Sequence, residues 1–236
     1  MNAIARRVAQ ARQAIVQAAL TAGRDPGEVT LVAATKTQTD DAIRQVIAAG
    51  VTVCGENRVQ ELTAHLAAHA YDGAQVHFIG HLQTNKVRYV VGKVDLIHSV
   101  SSEKLLLAID KQAEKLNIVQ DILLEVNIGR EAAKSGLPLE QLDEVIAQLS
   151  EKKSLHIRGL MAIPPIADET TKNLNYFTEM HQVFVDILTK KYDNVNMDYL
   201  SMGMTNDFEM AISCGANMVR IGTAIFGARP YQIVSP

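Results

Sequence analysis

The sequence places one lysine at the end of an apolar run, Val29-Thr-Leu-Val-Ala-Ala-Thr-Lys36. The run is β-branched and of strand length, the pattern of a strand buried on both faces in a parallel sheet. Such strands rarely carry an ammonium, because withdrawing it from water is costly unless something compensates. Thr37 to Asp41 then open an amphipathic helix, with Thr39 as its cap and Asp40 and Asp41 in its first turn. Lys36 therefore stands at the carboxyl end of a strand. It can serve as an amine for covalent chemistry with a carbonyl or snorkel its head to the surface; this stretch allows both.

Two further stretches have the composition of a phosphate site. In Arg220-Ile-Gly-Thr-Ala-Ile-Phe-Gly227 a strand runs into Gly222 and a short helical turn. Glycine lets the backbone approach an oxyanion, and the N–H groups of a helix start supply donors. Ser201-Met-Gly203-Met-Thr205 follows another strand, and the hydroxyls of Ser201 and Thr223 can add donors.

The elements that must position these residues alternate along the chain. Strands are expected over Val29–Thr35, Val51–Cys54, Val76–Ile79, Val94–His98, Asp121–Ile128 (the longest), Leu155–Ile163, Met197–Ser201 and Asn217–Ile221. Helices are expected between them, at Asp40–Ala49, Val59–Ala70, Thr84–Val91, Ser101–Leu116, after Pro138, from Asp168 onward and at Asp207–Ser213. The helix after Pro138 shows Leu142, Val145, Ile146 and Leu149 at helical spacing, and Phe177, His181, Phe184 and Leu188 share a face of the next. Eight strand–helix alternations point to an α/β fold, a single (β/α)8 TIM barrel. An open doubly wound sheet would need a glycine loop after its first strand, and none lies between Val29 and Ala49. One domain is expected over residues 1–236, with an extra leading helix over residues 1–22 and the barrel over residues 29–227. The active face is then the carboxyl end of the strands, where Glu56-Asn57, His77, Gly80, His81, Asn127 and Met161 also fall. A lysine across the barrel mouth from a phosphate site suggests pyridoxal 5'-phosphate (PLP), anchored at one end and joined to Lys36 at the other as an imine. Partial burial and the charge of Arg220 would both favour the neutral amine that imine formation needs.

These motifs carry a resemblance. Thr-Lys36-Thr, Gly55-Glu-Asn57, Gln60-Glu61, Phe78-Ile-Gly-His-Leu-Gln-Thr-Asn-Lys86, Lys134-Ser-Gly136, Arg158-Gly-Leu-Met-Ala-Ile163, Ser201-Met-Gly-Met204 and Arg220 to Gly227 closely resemble the YggS/PROSC family of PLP homeostasis proteins, nearly end to end. The resemblance implies a PLP-binding barrel of the alanine-racemase type (fold type III). It implies that Lys36 forms the Schiff base and that Ser201, Gly222 and Thr223, with Gly203 alongside, hold the phosphate. Arg220 would face the pyridine nitrogen, and Asn57, Met161 and Met204 would line the ring. The implied function is to buffer PLP and deliver it to PLP-dependent apoenzymes in the cytoplasm, with little or no turnover, by a monomer or weak homodimer. Some members carry a second lysine where Gln38 stands, so a transfer role at that position is not expected here.

Arginine opposite the ring nitrogen can only donate, which would leave that nitrogen unprotonated and the ring a weak electron sink. The alternative is an amino-acid racemase. Racemases of this fold add a β-domain and take a tyrosine base from a neighbouring subunit, whereas this chain ends at Pro236 with Tyr231 in its tail. Lys36 is then expected to be the only base.

Composition narrows the remaining classes. The 236 residues carry a net charge of −3 without a basic block, so no nucleic-acid partner is indicated. Neither a signal-peptide core nor a membrane-length apolar run is present. Cys54 and Cys214 have no metal or redox spacing and read as buried fillers of a reducing compartment. His65 and His69 lie four apart but lack the glutamate of a zinc-protease motif, and read as exposed helix histidines. Lys134 is a candidate second PLP-reactive amine or an ordinary exposed lysine. Gln83 to Lys86 has no derivable chemistry.

Overall fold

A computed structural model describes residues 2–131, 134–149, 151–165, 170–190 and 192–227. Eight parallel strands close into a barrel in chain order: β1 (Thr30–Ala34), β2 (Val53–Glu56), β3 (Gln75–Phe78), β4 (Leu96–Val100), β5 (Gln120–Val126), β6 (Leu155–Ala162), β7 (Val195–Met204) and β8 (Met218–Ile221), with β8 paired back to β1. The helices are α1 (Ala3–Thr21), α2 (Asp40–Ala48), α3 (Val59–Ala67), α4 (Glu103–Leu116), α5 (Leu142–Leu149), α6 (Thr170–Leu188), α7 (Phe208–Ser213) and α8 (Thr223–Phe226). Among the described residues no helix is long and apolar enough to cross a membrane.

The apolar strands serve two cores at once. Leu31 and Ala33 face outward into the layer between sheet and helices, while Val32 joins Val53, Ile79, Leu96, Leu123, Met161 and Met218 inside the bore. This alternation is the period-two consequence of strand geometry. The leading helix turns Val8, Ala11, Ile15 and Ala19 inward and packs against α2, α7 and α8. Its Asn2 caps the first turn by accepting from the Ala5 N–H. Thr39 and Ser102 cap α2 and α4 in the same way, and Gly50, at φ +93°, follows α2.

Several boundaries differ from the sequence expectation. Strands β2 and β4 begin two residues later than expected. Thr84–Tyr89 forms a 3-10 helix rather than an α-helix, in keeping with the weak helix propensity of Thr84, Asn85, Val87 and Tyr89. The longest strand is β7, with ten residues, instead of β5. It runs on through Ser201 to Met204 because three steps along β7 match two along β8 (Ser201 pairs with Met218 and Met204 with Arg220), a one-residue bulge. On the α6 face shared by Phe177, His181, Phe184 and Leu188, Phe177 is buried and Leu188 is exposed. Asp168 and Tyr231 lie outside the described residues.

Candidate functional site

Lys36 sits two residues beyond Ala34 and four beyond Val32, so it continues the inward-facing series of β1 to the mouth of the barrel. Both neighbours are anchored to the β2–α3 segment. Thr35 is buried, its N–H donating to the Gly55 carbonyl at 2.9 Å and its hydroxyl lying 3.1 Å from that carbonyl and 3.2 Å from Glu56 Oε2. Thr37 adopts a left-handed φ of +63°, unusual for a β-branched residue. Its N–H donates to Glu61 Oε2 at 2.6 Å, and Glu61 in turn pairs with Arg58 at 3.2 Å. Lys36 itself is half-buried.

Glu56 is the buried knot of this segment. Its Oε1 accepts from the Asn57 and Arg58 N–H groups at 2.6 and 3.2 Å, and its Oε2 accepts from the Tyr71 hydroxyl at 3.0 Å. Burial pushes its carboxyl above the ordinary value, and those donors pull it part of the way back. Burial, with help from Glu56, pushes the Cys54 thiol up to about 12, which makes it inert. The β3 end presses on the same segment, since a Cβ on Gly80 would stand 2.1 Å from the Asn57 carbonyl oxygen. Asn57 Oδ1 is buried with no hydrogen-bond partner in the protein, a group that calls for a donor from elsewhere.

Arg220 lies deeper. It pairs with Val32 across β8 and β1, and its guanidinium donates to Ser201 Oγ at 2.7 Å and to the Ala162 carbonyl at 3.1 Å. Burial pulls it down to about 10, against the upward pull of Glu125 and Asp207, so it remains charged at neutral pH. Gly222 comes one inward step above, level with Ala34. Its φ is −116°, and a Cβ there would meet only Ala34, at an ordinary 3.5 Å. The protein's own packing therefore leaves the space at Gly222 open. Thr223 is exposed and begins α8, whose first N–H groups have no partner within the helix.

The structure redirects several residues. Ser201, expected at the phosphate, is fully buried and sits at the level of Met218, below Gly222. Its hydroxyl is engaged by Arg220 and by His98 Nδ1 at 3.0 Å. The next hydroxyl along, Thr205, stands half-buried in the turn beyond β7. Gly203 has a packing reason: φ is +89°, and a Cβ would lie 2.5 Å from the Ala211 methyl. Met161 is buried in the bore core, while Met204 is 39% exposed at the rim. His65 is buried rather than exposed, its Nδ1 2.6 Å from Asp40 Oδ1, and His69 lies past the end of α3. Glu56, Glu61 and His65 gather within 4.8 Å, but each is already bonded to the protein. Lys134 is exposed beyond β5, on the active face. Gln83 precedes the 3-10 helix, and Thr84 and Arg88 line a groove of about 540 Å³ against α4.

Sequence reasoning gave no role to His77, His98, Glu56 or Glu61. The first two had a readable signal. His98 falls two residues after the inward Leu96 and His77 two before the inward Ile79, polar side chains at bore-facing positions of apolar strands.

The chain matches the family described as "Alanine racemase, N-terminal domain" over residues 3–230. It is 43% identical over 231 residues to the pyridoxal phosphate homeostasis protein of Aquifex aeolicus (strain VF5), covering 98% of this chain and 100% of that protein. It is 40% identical over 235 residues to the protein of the same name from Escherichia coli (strain K12), covering 98% and 99%. Among solved structures, PipY of Synechococcus elongatus PCC7942 with PLP bound is similar at a TM-score of 0.82 and 32% identity, covering 95% of this chain and 100% of that one.

Proposed function

Because the chain belongs to the family of pyridoxal phosphate homeostasis proteins, on the alanine racemase N-terminal domain fold, we propose that it holds PLP reversibly on Lys36 and buffers or delivers it with little turnover. The observation that carries the assignment of residues is the vertical order of the inner face. Arg220 is level with Val32, Gly222 with Ala34, and Lys36 is one inward step higher. A flat ligand with a phosphate, a ring nitrogen and an aldehyde matches that order.

The residues present fit PLP. Asn57 Oδ1 is a buried acceptor awaiting a donor, the space at Gly222 lets the backbone approach an oxyanion, and Arg220 has N–H groups beyond the two already bonded. When bound, PLP supplies an aldehyde that condenses with a primary amine. Lys36 is that amine, held by the anchors on Thr35 and Thr37. Gly222 and the start of α8, with the hydroxyls of Thr223 and Thr205, receive the phosphate. Met161 and Met204 bound the ring from the bore and the rim. Arg220 donates toward the ring nitrogen and has no proton acceptor to offer, so the site favours holding over carbanion chemistry. Delivery makes PLP-dependent apoenzymes of the cytoplasm the natural partners.

Borohydride reduction of the PLP-loaded protein followed by peptide mapping tests the assignment. The adduct is expected on Lys36, and Lys36→Ala is expected to lose the visible absorbance of lysine-bound PLP. An adduct on another lysine, Lys134 included, refutes it.

A further inference from the structure

A chain of buried polar side chains crosses the barrel under the site. His77 Nδ1 on β3 lies 3.0 Å from His98 Nε2 on β4. His98 Nδ1 lies 3.0 Å from Ser201 Oγ on β7, and Arg220 on β8 donates to that oxygen at 2.7 Å. None of the four is more than 4% exposed. Strands β4 and β7 are not neighbours in the sheet, so the His98–Ser201 bond spans the bore itself. Packing alone does not call for this: the buried apolar residues beside it in the bore are Val, Leu, Ile and Met, and such side chains fill space without the desolvation cost of polar ones.

The proton inventory shows what the chain does. Arg220 only donates, so Ser201 Oγ accepts from it whatever else that hydroxyl does. Burial holds both imidazoles neutral, and a neutral imidazole has one donor and one acceptor nitrogen. If His98 donates to His77, it accepts from Ser201; if it accepts from His77, it donates to Ser201. Either order uses both nitrogens of His98 and fixes Ser201. The Ala162 carbonyl takes one further bond from the guanidinium, at 3.1 Å; the charged groups that could anchor it are Glu125 and Asp207, whose charges reach it. Each is bonded elsewhere, Glu125 to the Ser135 hydroxyl at 2.6 Å and Asp207 to the Met204 N–H at 2.6 Å. Among the described residues Arg220 has no carboxylate within ion-pair distance.

We infer that His98, backed by His77 and acting through Ser201, is a positioning residue that holds Arg220 in one orientation by neutral partners, so that its charge and remaining N–H groups stay available to the ring nitrogen of bound PLP. The inference rests on the proposed reading that Arg220 faces that nitrogen.

The test pairs a measurement on the ligand-free protein with one on the loaded protein. In His98→Leu and Ser201→Ala, exchange of the Arg220 Nε–H with water, followed by NMR without PLP, is expected to quicken by about tenfold or more, while strand amides keep their protection. His98→Gln, which can bond at one end, is expected to fall between. In the loaded variants the absorbance and fluorescence of PLP are expected to shift, and to titrate at a different pH from wild type. Ser201→Ala, with its small volume change, carries the test should His98→Leu not fold. Arg220 exchange unchanged in Ser201→Ala would overturn the positioning role. Faster exchange with an unchanged PLP spectrum would overturn instead the placement of Arg220 at the ring nitrogen.

Discussion

Removing the Glu61 carboxylate should weaken PLP binding without touching Lys36. Thr37 carries a left-handed φ of +63°, which costs a β-branched residue about 1–2 kcal/mol. What opposes that cost is the 2.6 Å bond from its N–H to Glu61 Oε2. A hydrogen bond to a charged group contributes about 1.5–3 kcal/mol; with the Glu61 side chain 23% exposed, the lower end, about 1.5 kcal/mol, is appropriate. In Glu61→Ala, Thr37 is free to relax to a negative φ, which turns the adjoining Lys36. A shift of about 1.5 kcal/mol changes the ratio of presented to turned-away lysine by about tenfold, and apparent affinity scales with the presented fraction. The dissociation constant for PLP, from titration of the lysine-bound absorbance, should rise about fivefold to tenfold. Glu61→Gln keeps an acceptor and should lose about threefold. Adding Thr37→Gly, which tolerates the same φ, should recover part of the loss. The melting temperature should fall by only about 3–6 °C, the scale of about 1.5 kcal/mol in a domain of this size. Glu61→Ala binding PLP within about twofold of wild type, with that fall in melting temperature, would show that the clamp stabilises the fold but does not present Lys36.

The two glycines of the site should separate stability from binding. Gly222→Ala, at an ordinary φ with only Ala34 in reach, should melt within about 2 °C of wild type yet bind PLP about tenfold more weakly in equilibrium titration. Gly203→Ala meets the Ala211 methyl at 2.5 Å and requires φ +89°, so it should lower stability by about 2 kcal/mol or more in a denaturant melt. Glu56→Gln places an amide NH₂ among donors that now point at a carboxylate and should cost about 2–3 kcal/mol, read the same way. His77 gives an acid sensitivity: burial pulls it from 6.5 down to about 4, so on acidification the unfolded chain takes up its proton first. Stability from this group is full above pH 6.5 and is lost as pH falls from 6.5 toward 4, by about 3 kcal/mol in all. The slope of melting temperature against pH in that window should flatten in His77→Gln.

The barrel was legible because its strands are apolar on both faces, a pattern strong enough that boundary errors at β2 and β4 did not disturb the order of elements. Lys36 was legible for the same reason, as a charge where the apolar run stops. The cross-bore chain was not. Its central contact joins residues 103 positions apart on strands that are not neighbours, and only the closed register brings them together. The bonds of Ser201 to His98 and Arg220 were not legible, because a hydroxyl near a strand end looks the same with or without a guanidinium beside it. The bulge that carries β7 beyond it has one mark in the residue types, Gly203 at φ +89°, and the sequence alone does not distinguish that glycine from one in a turn or a ligand loop. Glu61 lay inside a motif that matched the family, but nothing local tells that its carboxylate reaches back to the neighbour of Lys36.

That bulge acts as a parity switch. In a regular strand Ser201 and Gly203 would share one side and Met202 and Met204 the other. With one residue added, Ser201 meets the bore, Met202 and Gly203 face the helix layer, and Met204 returns to the side of its partner Arg220. A single strand can thereby furnish both the underpinning of the guanidinium and the rim of the pocket, two duties that strict alternation would give to residues of matching parity. Deleting Met202 or Gly203 would make the pairing of β7 with β8 regular and leave Ser201 and Met204 two apart on one side, whereas straightening the strand with every residue kept would turn Met204 out of the rim.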